Sequence, residues 1–407
     1  MLIVKGVLIP DGDEWKEKDI WIEGGRYVQI CQPGGAIIPF EAEVLNGEKR
    51  FLFPALIDPH VHVREPGFDY KEDWGTCSRA ALKGGVCAIF DMPNNKEPVI
   101  GYQQLIRKRD IALEKSLVNF GLYVALTDTN VDIIKGQEVQ ELICGVKIYL
   151  AETTGGLTVS SDSALLEVFG QPKHVLVHTG GPEGLERILF FYKKAQNRFG
   201  TLPVLYVCHV STHEELKIVE REKRAFPSLH AEATPHHLLL HRNNYPECNS
   251  VLPNLADPED AESLWEGIAR GTVDVMGTDH APHTVEEKKG EKPPSGFPGL
   301  ETALPLLFST YRERGLSLSD FLRFTSQRAR ALFHMGDAGI SPGNRADCVL
   351  IEEGEWVVGG DGYETKCWWS PFEGWKVRYR PAVTIVNGWI AYRKGSFWND
   401  RGEFISG

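Results

Sequence analysis

Segments typical of strands and of helices alternate through the central part of this 407-residue chain. Eight apolar runs have the composition of buried strands, and helical patterns, such as the one at 131–143, separate them. The strands are predicted at 54–62, 86–92, 118–126, 145–150, 174–178, 203–210, 230–237 and 273–279. Because repeated strand–helix units form parallel sheets, the pattern predicts an α/β fold, a (β/α)8 TIM-type barrel with its active site at the carboxyl ends of the strands.

The two ends of the chain have a different sequence pattern, which is rich in short strand-like runs. Turns at Asp11-Gly12-Asp13 and Gly24-Gly25 divide the first fifty residues, and similar runs return after residue 347. We expect the N- and C-terminal segments to form one small β-sandwich. The predicted domains are therefore a composite β-sandwich of residues 1–52 and 339–407, and a barrel of residues 53–338.

Composition and charge exclude several classes of protein. Apolar residues make up 42% and charged residues 25% of the chain, as in ordinary soluble globular proteins. The net charge of −12 argues against nucleic-acid binding, which requires a basic face. No signal peptide or membrane-spanning apolar run is visible, and the eight cysteines include no CxxC pair. We therefore expect a cytoplasmic protein that binds neither nucleic acid nor membrane.

Histidines and an aspartate follow the predicted strands at the ends where barrel chemistry occurs. His60 and His62 end the first strand, and side chains two apart on a strand share a face, so both can converge on one metal ion. His178 and His209 end the fifth and sixth strands, and Asp279 ends the eighth. A single histidine in an apolar strand is usually a core residue, but this set favours a metal centre.

Lys147 lies inside the fourth predicted strand, where burial disfavours a charged amine. Two interpretations stay open. The neutral amine could take up carbon dioxide to form a carbamate whose two oxygens bridge two cations, or the ammonium could pair with a nearby carboxylate. Two cations would lower the pKa of a shared water toward neutrality, so that it binds as hydroxide. Asp279 could accept the proton of this hydroxide during attack and return it to the leaving nitrogen. The pattern indicates metal-assisted amide hydrolysis.

Six stretches of the chain resemble the dihydroorotases of the amidohydrolase superfamily, particularly the form found in multifunctional pyrimidine-synthesis proteins. They are residues 57–67 (IDPHVHVREPG), 91–95 (DMPNN), 145–150 (GVKIYL), 234–238 (TPHHL), 278–283 (TDHAPH) and 296–302 (GFPGLET). The likeness continues to residues 370–374 (SPFEG) and so covers almost the whole chain.

The resemblance implies a reaction and a metal site. The reaction is the reversible cyclisation of N-carbamoyl-L-aspartate to L-dihydroorotate in de novo pyrimidine (UMP) biosynthesis. The site is a pair of Zn²⁺ ions bridged by carboxylated Lys147, with Asp279 as both metal ligand and proton shuttle. The implied metal ligands are His60, His62, Lys147, His178, His209 and Asp279. Cys208 precedes His209, Glu232 precedes the TPHHL stretch, and a third, weaker metal position is an alternative left open there.

The resemblance also implies which residues bind the substrate. They are Arg64, Asn94, His283, Thr153, Thr154 and Pro298. The first three match positions that hold the carboxylate, for which the planar fork of arginine is well suited. The alternatives are an ion pair of Arg64 with Glu65 or Asp69, and a helix or loop contact for His283. The two threonines lie in a loop, 152–158, that could close over substrate as a lid or form an ordinary turn.

Three positions depart from the family pattern. Thr179-Gly180-Gly181 follows His178, where the family usually has alanine and glutamate. Leu252 stands where asparagine or arginine usually binds substrate, and Ala256 stands where arginine is common. A missing partner for a bound polar group costs about 1–3 kcal/mol, so these changes concern substrate identity and not the hydrolytic residues.

Two alternatives to a dihydroorotase therefore remain. One is a hydantoinase- or allantoinase-like enzyme that acts on another cyclic amide, for which a carboxylate-binding group such as Arg64 is not needed. The other is a non-catalytic scaffold for aspartate transcarbamoylase, which would be expected to lose metal ligands. The sequence leaves open a homodimer and an association with aspartate transcarbamoylase.

Overall fold

The computed structural model describes residues 1–152, 156–245, 250–398 and 402–407. Its strands are β1 Leu2–Asp11, β2 Glu14–Glu23, β3 Arg26–Cys31, β4 Glu43–Asn46, β5 Phe51–Pro54, β6 Leu56–Val61, β7 Val86–Asp91, β8 Asn119–Ala125, β9 Gly145–Tyr149, β10 His174–His178, β11 Leu205–Val207, β12 Leu229–Ala233, β13 Val275–Met276, β14 Cys348–Val357, β15 Lys376–Val386, β16 Trp389–Arg393 and β17 Ser396–Phe397.

The helices are α1 Trp74–Lys83, α2 Tyr102–Lys115, α3 Val131–Lys135, α4 Gln137–Gln140, α5 Asp162–Glu167, α6 Pro182–Phe199, α7 His213–Lys223, α8 Pro235–Leu239, α9 Pro258–Arg270, α10 Val285–Lys288, α11 Ala303–Thr310, α12 Leu318–Leu322 and α13 Arg328–Leu332. A π-helical turn, Arg323–Gln327, joins the last two. None of the described helices is both long and apolar enough to cross a bilayer.

Strands β6 to β13 form one parallel sheet in sequence order, which confirms the predicted barrel. The sheet closes where the backbone N–H of His62 donates to the carbonyl oxygen of His280 at 2.8 Å and Val61 bridges to His280. The first strand thereby meets the segment that follows the last strand. Nearly every residue of these strands is buried, as expected for a parallel sheet covered by helices.

The strands predicted at 203–210 and 273–279 are shorter in the structure, where they are β11 and β13, and two further predicted elements differ more strongly. The strand predicted at 230–237 ends at Ala233, and residues 235–239 form α8 instead. Pro235 at the first turn and Thr234, whose hydroxyl accepts from the N–H of His237, together start a helix there. The helix predicted at 131–143 is divided into α3 and α4 because Gly136 has extended backbone angles.

Both ends of the chain join in one sheet, as predicted. Its strand order is β17-β16-β15-β14-β5-β1-β2-β3, and β4 pairs with β1 in parallel. The sheet has its own apolar cluster, built around Val4, Ile20 and Leu350. Residues 51–54, which the sequence assigned partly to the first barrel strand, form β5 of this sheet. The domain limits at 52/53 and 338/339 stay predictions.

A buried arginine connects the barrel to the terminal sheet. Arg330 on α13 donates to the carbonyl oxygen of Ala55, between β5 and β6, and its guanidinium lies 3.5 Å from the carboxylate of Asp347. Both side chains are buried, at 2% and 0% exposure. Asp347 also pairs with Arg345 at 2.9 Å. A buried ion pair with additional hydrogen bonds fixes the relative position of the segments that carry it.

Candidate active site

A cavity of about 560 Å³ opens at the carboxyl ends of the barrel strands. Among the described residues it is lined by His60, His62, Arg64, Asn94, Lys147, Tyr149, Glu152, Gly156, Thr158, His178, His209, Leu252, Asp279, Ala281, Pro293, Pro294, Ser295 and Gly296. All six sequence-predicted metal ligands therefore surround one space, together with two of the predicted substrate-binding residues.

His60, His62 and Asp279 form the tightest group. The Nε2 atoms of His60 and His62 lie 3.2 and 2.9 Å from Oδ1 of Asp279. Asp279 has a left-handed backbone conformation, with φ at +48°, which turns its carboxylate into the barrel where the strand ends. Burial raises the pKa of Asp279, but contact with the two histidines outweighs it and holds that pKa well below its usual range.

Glu232 on β12 positions two of the histidines. Its carboxylate accepts from Nδ1 of His60 at 2.8 Å, from the backbone N–H of His209 at 2.9 Å and from the hydroxyl of Tyr206 at 2.8 Å. Burial lowers the pKa of His60, but the carboxylates of Glu232 and Asp279 raise it to about 10. A positive charge is therefore stabilised between the buried carboxylates of Glu232 and Asp279. A divalent cation bound there would also supply positive charge.

His178 and His209 form the second pair, with Nδ1 of His178 at 2.9 Å from Nε2 of His209. Burial lowers the pKa of His178 to about 3 and that of His209 well below its usual value, so both rings are neutral. Nδ1 of His209 is buried and has no hydrogen-bond partner within the described part of the chain. Neutral imidazoles with free nitrogens are the form that binds metal, so this pair also fits a metal site.

Lys147 is completely buried on β9. Its Nζ donates to Sγ of Cys208 at 2.9 Å and lies 5.4 Å from the ring centre of Tyr149. No carboxylate forms an ion pair with Lys147 among the residues that the structure covers, so the alternative interpretation of this lysine lacks a partner. The potential ligand atoms of Cys208, Glu232 and His60 lie within 4.8 Å of one another. His60 thus belongs both to this group and to the group of His60, His62 and Asp279.

Arg64 and Asn94 line the same cavity. Arg64 is buried, with 4% exposure, and its Nε donates to the carbonyl oxygen of Pro282 at 3.2 Å. The ion pair with Glu65 that sequence left open does not form, because Glu65 binds Lys115 and the backbone N–H of Trp74 instead. Oδ1 of Asn94 lies 2.6 Å from Nδ1 of His62, so Asn94 also orients a predicted metal ligand.

His283 and Pro298 are not part of the described cavity lining. Nε2 of His283 is 3.2 Å from Nη2 of Arg64, and its Nδ1 is 3.0 Å from Nζ of Lys71. The ring therefore supports the guanidinium, whereas neither it nor the buried Pro298 is part of the described lining. Thr153 and Thr154 lie outside the described residues, and the loop is represented in the lining by Glu152, Gly156 and Thr158.

Sequence reasoning did not identify several residues of the cavity. Tyr149 contributes a buried aromatic ring, and burial raises its pKa well above the usual value. Pro293 and Pro294 also line the cavity, as does Leu252, which is 41% exposed. The two prolines lie in a polar loop, so nothing in the sequence indicated their place in the cavity. Tyr149 follows Lys147 by two residues in an apolar strand, and this spacing could have indicated that both side chains face the same way.

Comparisons with known proteins agree with this geometry. The model of the Amidohydrolase family matches residues 51–390. A dihydroorotase of Clostridium botulinum (strain Eklund 17B / Type B) is 32% identical over 411 residues, covering 97% of this chain and all of the relative. A dihydroorotase of Pyrococcus horikoshii is 31% identical over 371 residues, covering 86% of this chain and 85% of the relative.

Other similar proteins are longer, or are similar in fold alone. The multifunctional protein CAD of Squalus acanthias is 31% identical over 382 residues, which are 92% of this chain but 16% of the relative, so the chain spans about a sixth of its length. The solved structure of an L-hydantoinase (dihydropyrimidinase) from Arthrobacter aurescens superposes with a TM-score of 0.89 at 23% identity, covering 99% of both chains. The chain thus belongs to the amidohydrolase family, as a dihydroorotase-like hydrolase that acts on cyclic amides.

Proposed function

We propose that this protein is a dihydroorotase, which hydrolyses L-dihydroorotate to N-carbamoyl-L-aspartate and catalyses the reverse cyclisation. The observation that supports this most directly is the position of Arg64. Its buried guanidinium lines the same cavity as His60, His62 and Asp279. Dihydroorotate carries a cyclic amide and a carboxylate, and a buried arginine provides a strong, directional partner for a carboxylate.

The donor set fits two divalent cations, which we propose to be Zn²⁺. His60 and His62 would hold one ion and His178 and His209 the other, with Asp279 as a further ligand and carboxylated Lys147 shared between them. Imidazole nitrogen and carboxylate oxygen are ligands that zinc accepts. Bound cations of this kind would polarise the amide carbonyl and lower the pKa of water toward neutrality.

The bridging role of Lys147 is supported by its surroundings. The amine is fully buried, and its nearest polar partner among the described residues is the thiol of Cys208, a weak acceptor. The neutral form of an amine is the form that reacts with carbon dioxide. A carbamate would bring negative charge to the point where His178 and His209, both neutral, provide none.

Different residues of the site would transfer the proton, orient a metal ligand and bind the substrate during hydrolysis. Asp279, in contact with both histidines of β6, would accept the proton of the attacking water and return it to the amide nitrogen as the ring opens. Glu232 holds His60 in one orientation through Nδ1. Arg64 and Asn94 would hold the substrate carboxylate, and His283 keeps the guanidinium in place.

A hydantoinase-like function is the second candidate, and one observation favours it. The side chain of Leu252 lines the cavity and cannot donate a hydrogen bond, and Pro293 and Pro294 are further apolar residues of the lining. An apolar wall suits the uncharged ring substituents of a hydantoin better than the polar edge of dihydroorotate. Arg64, whose charge would then face no substrate carboxylate, argues against this candidate.

The test is an assay of zinc-loaded protein, prepared in bicarbonate, with L-dihydroorotate, hydantoin and allantoin as separate substrates. Selective turnover of dihydroorotate is the expected result. Turnover of hydantoin or allantoin alone would contradict the proposal and leave the hydrolytic site intact. A homodimer and an association with aspartate transcarbamoylase are further proposals, which sedimentation of the protein alone and mixed with that enzyme would test.

A further inference from the structure

Tyr149 presents a buried hydroxyl that the proposed function leaves unused. It follows Lys147 by two residues on β9, so both side chains face the barrel interior. The side chain is 2% exposed and lines the cavity. Its hydroxyl is buried and has no hydrogen-bond partner among the residues that the structure describes. Buried phenol groups in folded proteins usually have such a partner, so this one is suited to a ligand.

Other buried tyrosines of the barrel show the usual arrangement. The hydroxyl of Tyr123 donates to the carbonyl oxygen of Pro59 at 3.0 Å, and that of Tyr192 donates to the carbonyl oxygen of Pro203 at 2.9 Å. Tyr206 donates to the carboxylate of Glu232 at 2.8 Å. Each of these hydroxyl groups stabilises the fold. Tyr149 differs from all three, because it combines a hydroxyl without a described partner with a place on the cavity wall.

The contacts of the ring place Tyr149 on the hydrolytic side of the cavity. Nζ of Lys147 lies 5.4 Å from the ring centre, and the ring of His178 lies 6.1 Å away. The guanidinium of Arg64 interacts electrostatically with Tyr149, but its hydrogen-bond contacts are with Pro282 and His283. A substrate with its carboxylate at Arg64 and its amide at the histidine cluster would therefore bring the amide, and not the carboxylate, toward Tyr149.

We propose that Tyr149 is a catalytic hydrogen-bond donor whose hydroxyl binds the carbonyl oxygen of the scissile amide. The inference rests on the proposed site of hydrolysis. When water adds to the carbonyl carbon, the π electrons of the C=O bond move to this oxygen, and the hydrogen bond strengthens with the charge. The phenol keeps its proton throughout. A donor already removed from water stabilises such charge without reorganisation at the moment of reaction.

The test compares Tyr149→Phe with Tyr192→Phe, a matched change of another buried tyrosine. Loss of an oxyanion donor typically lowers kcat by about 10²- to 10³-fold, so we expect a decrease of that order in Tyr149→Phe, with little change in KM. Its thermal unfolding midpoint should equal or exceed that of the parent, because no hydrogen bond of the fold is lost. Tyr192→Phe should show the opposite pattern, a lower midpoint and an unchanged kcat.

Three results would overturn the proposal. An unchanged kcat would show that the hydroxyl does not meet the reacting oxygen. A raised KM with normal kcat would place it on the carboxylate, and a lowered midpoint would show that it has a structural partner. The parent is first assayed on dihydroorotate, hydantoin and allantoin, and both variants on whichever is hydrolysed. Hydrolysis of another ring thus contradicts the proposed function alone, whereas turnover of none of the three contradicts both.

Discussion

The Nε2 atom of His62 lies 2.9 Å from Oδ1 of Asp279, although 217 residues separate the two in sequence. His62 directly follows the first barrel strand, and Asp279 follows the last. They meet because the barrel closes between them, through the hydrogen bond from His62 to the carbonyl oxygen of His280. Closure of the barrel therefore brings His62 and Asp279 together. A change that breaks the hydrogen bond between His62 and His280 should impair both the barrel and the site.

Replacement of Asp279 by asparagine tests the proton-transfer role. The amide keeps the shape of the side chain but cannot accept a proton from water, so we expect kcat to fall by about 10²- to 10⁴-fold. The measurement is steady-state kinetics on the preferred substrate with metal-loaded protein. Asp337→Asn, at an exposed position, is the control and should behave as the parent. A kcat for Asp279→Asn within threefold of the parent would contradict the assignment.

Replacement of Lys147 by alanine tests the shared ligand. Because the carbamate would contact both cations, we expect the variant to retain one ion fewer per chain and to lose most activity. Metal content is measured by elemental analysis after dialysis, beside Lys135→Ala, a partly exposed lysine that pairs with Glu167. Two ions per chain in Lys147→Ala would rule out the bridge, whatever the activity.

Asp58 should make the stability of the metal-free protein depend on pH. Its carboxylate accepts hydrogen bonds from the backbone N–H groups of His60 and Thr278 and from the Thr278 hydroxyl. Burial nevertheless raises its pKa from 3.8 to about 7. A carboxyl group whose folded-state pKa is raised contributes stability below its unfolded-state pKa, and this contribution is lost as pH rises through the folded-state value.

The free energy of unfolding of metal-free protein should therefore fall between about pH 4 and pH 7, by up to about 1.4 kcal/mol per pH unit from this group. Asp58→Asn is neutral and similar in shape, so the same measurement by urea unfolding should give a flatter dependence. Parallel curves for the parent and the variant would show that Asp58 does not titrate in this range.

Arg330 should contribute strongly to stability through its position between the barrel and the terminal sheet. Arg330→Leu removes the donor to Ala55 and one partner of the buried Asp347, which keeps its ion pair with Arg345, and we expect a loss of about 1.5–3 kcal/mol in the free energy of unfolding. Arg314→Ala, which breaks an exposed ion pair with Glu262, should cost under about 1 kcal/mol. Equal losses in the two variants would contradict the structural role of Arg330.

Sequence reasoning succeeded where the physical signal is local. Buried parallel strands are almost continuously apolar, so the barrel strands and the polar residues at their carboxyl ends can be recognised, including His178 at the end of β10. Pro235 and Thr234 also formed a local helix-start signal, which the apolar run of β12 obscured. The place of His283 behind Arg64 could not be predicted, because it depends on contacts between segments more than two hundred residues apart. The partner of Glu65 could not be predicted either, because Lys115 lies 50 residues away in sequence.

The most direct test of the proposed dihydroorotase activity uses two substrates that differ only in a carboxylate. L-dihydroorotate and 5,6-dihydrouracil share a ring, and only the former can bind the guanidinium of Arg64. Hydrogen bonds to charged groups contribute about 1.5–3 kcal/mol, so kcat/KM of the zinc-loaded parent should favour dihydroorotate by at least about tenfold. Arg64→Ala should remove this preference and leave dihydrouracil turnover unchanged. Equal or faster hydrolysis of dihydrouracil by the parent, or a preference for dihydroorotate that survives in Arg64→Ala, would contradict the account.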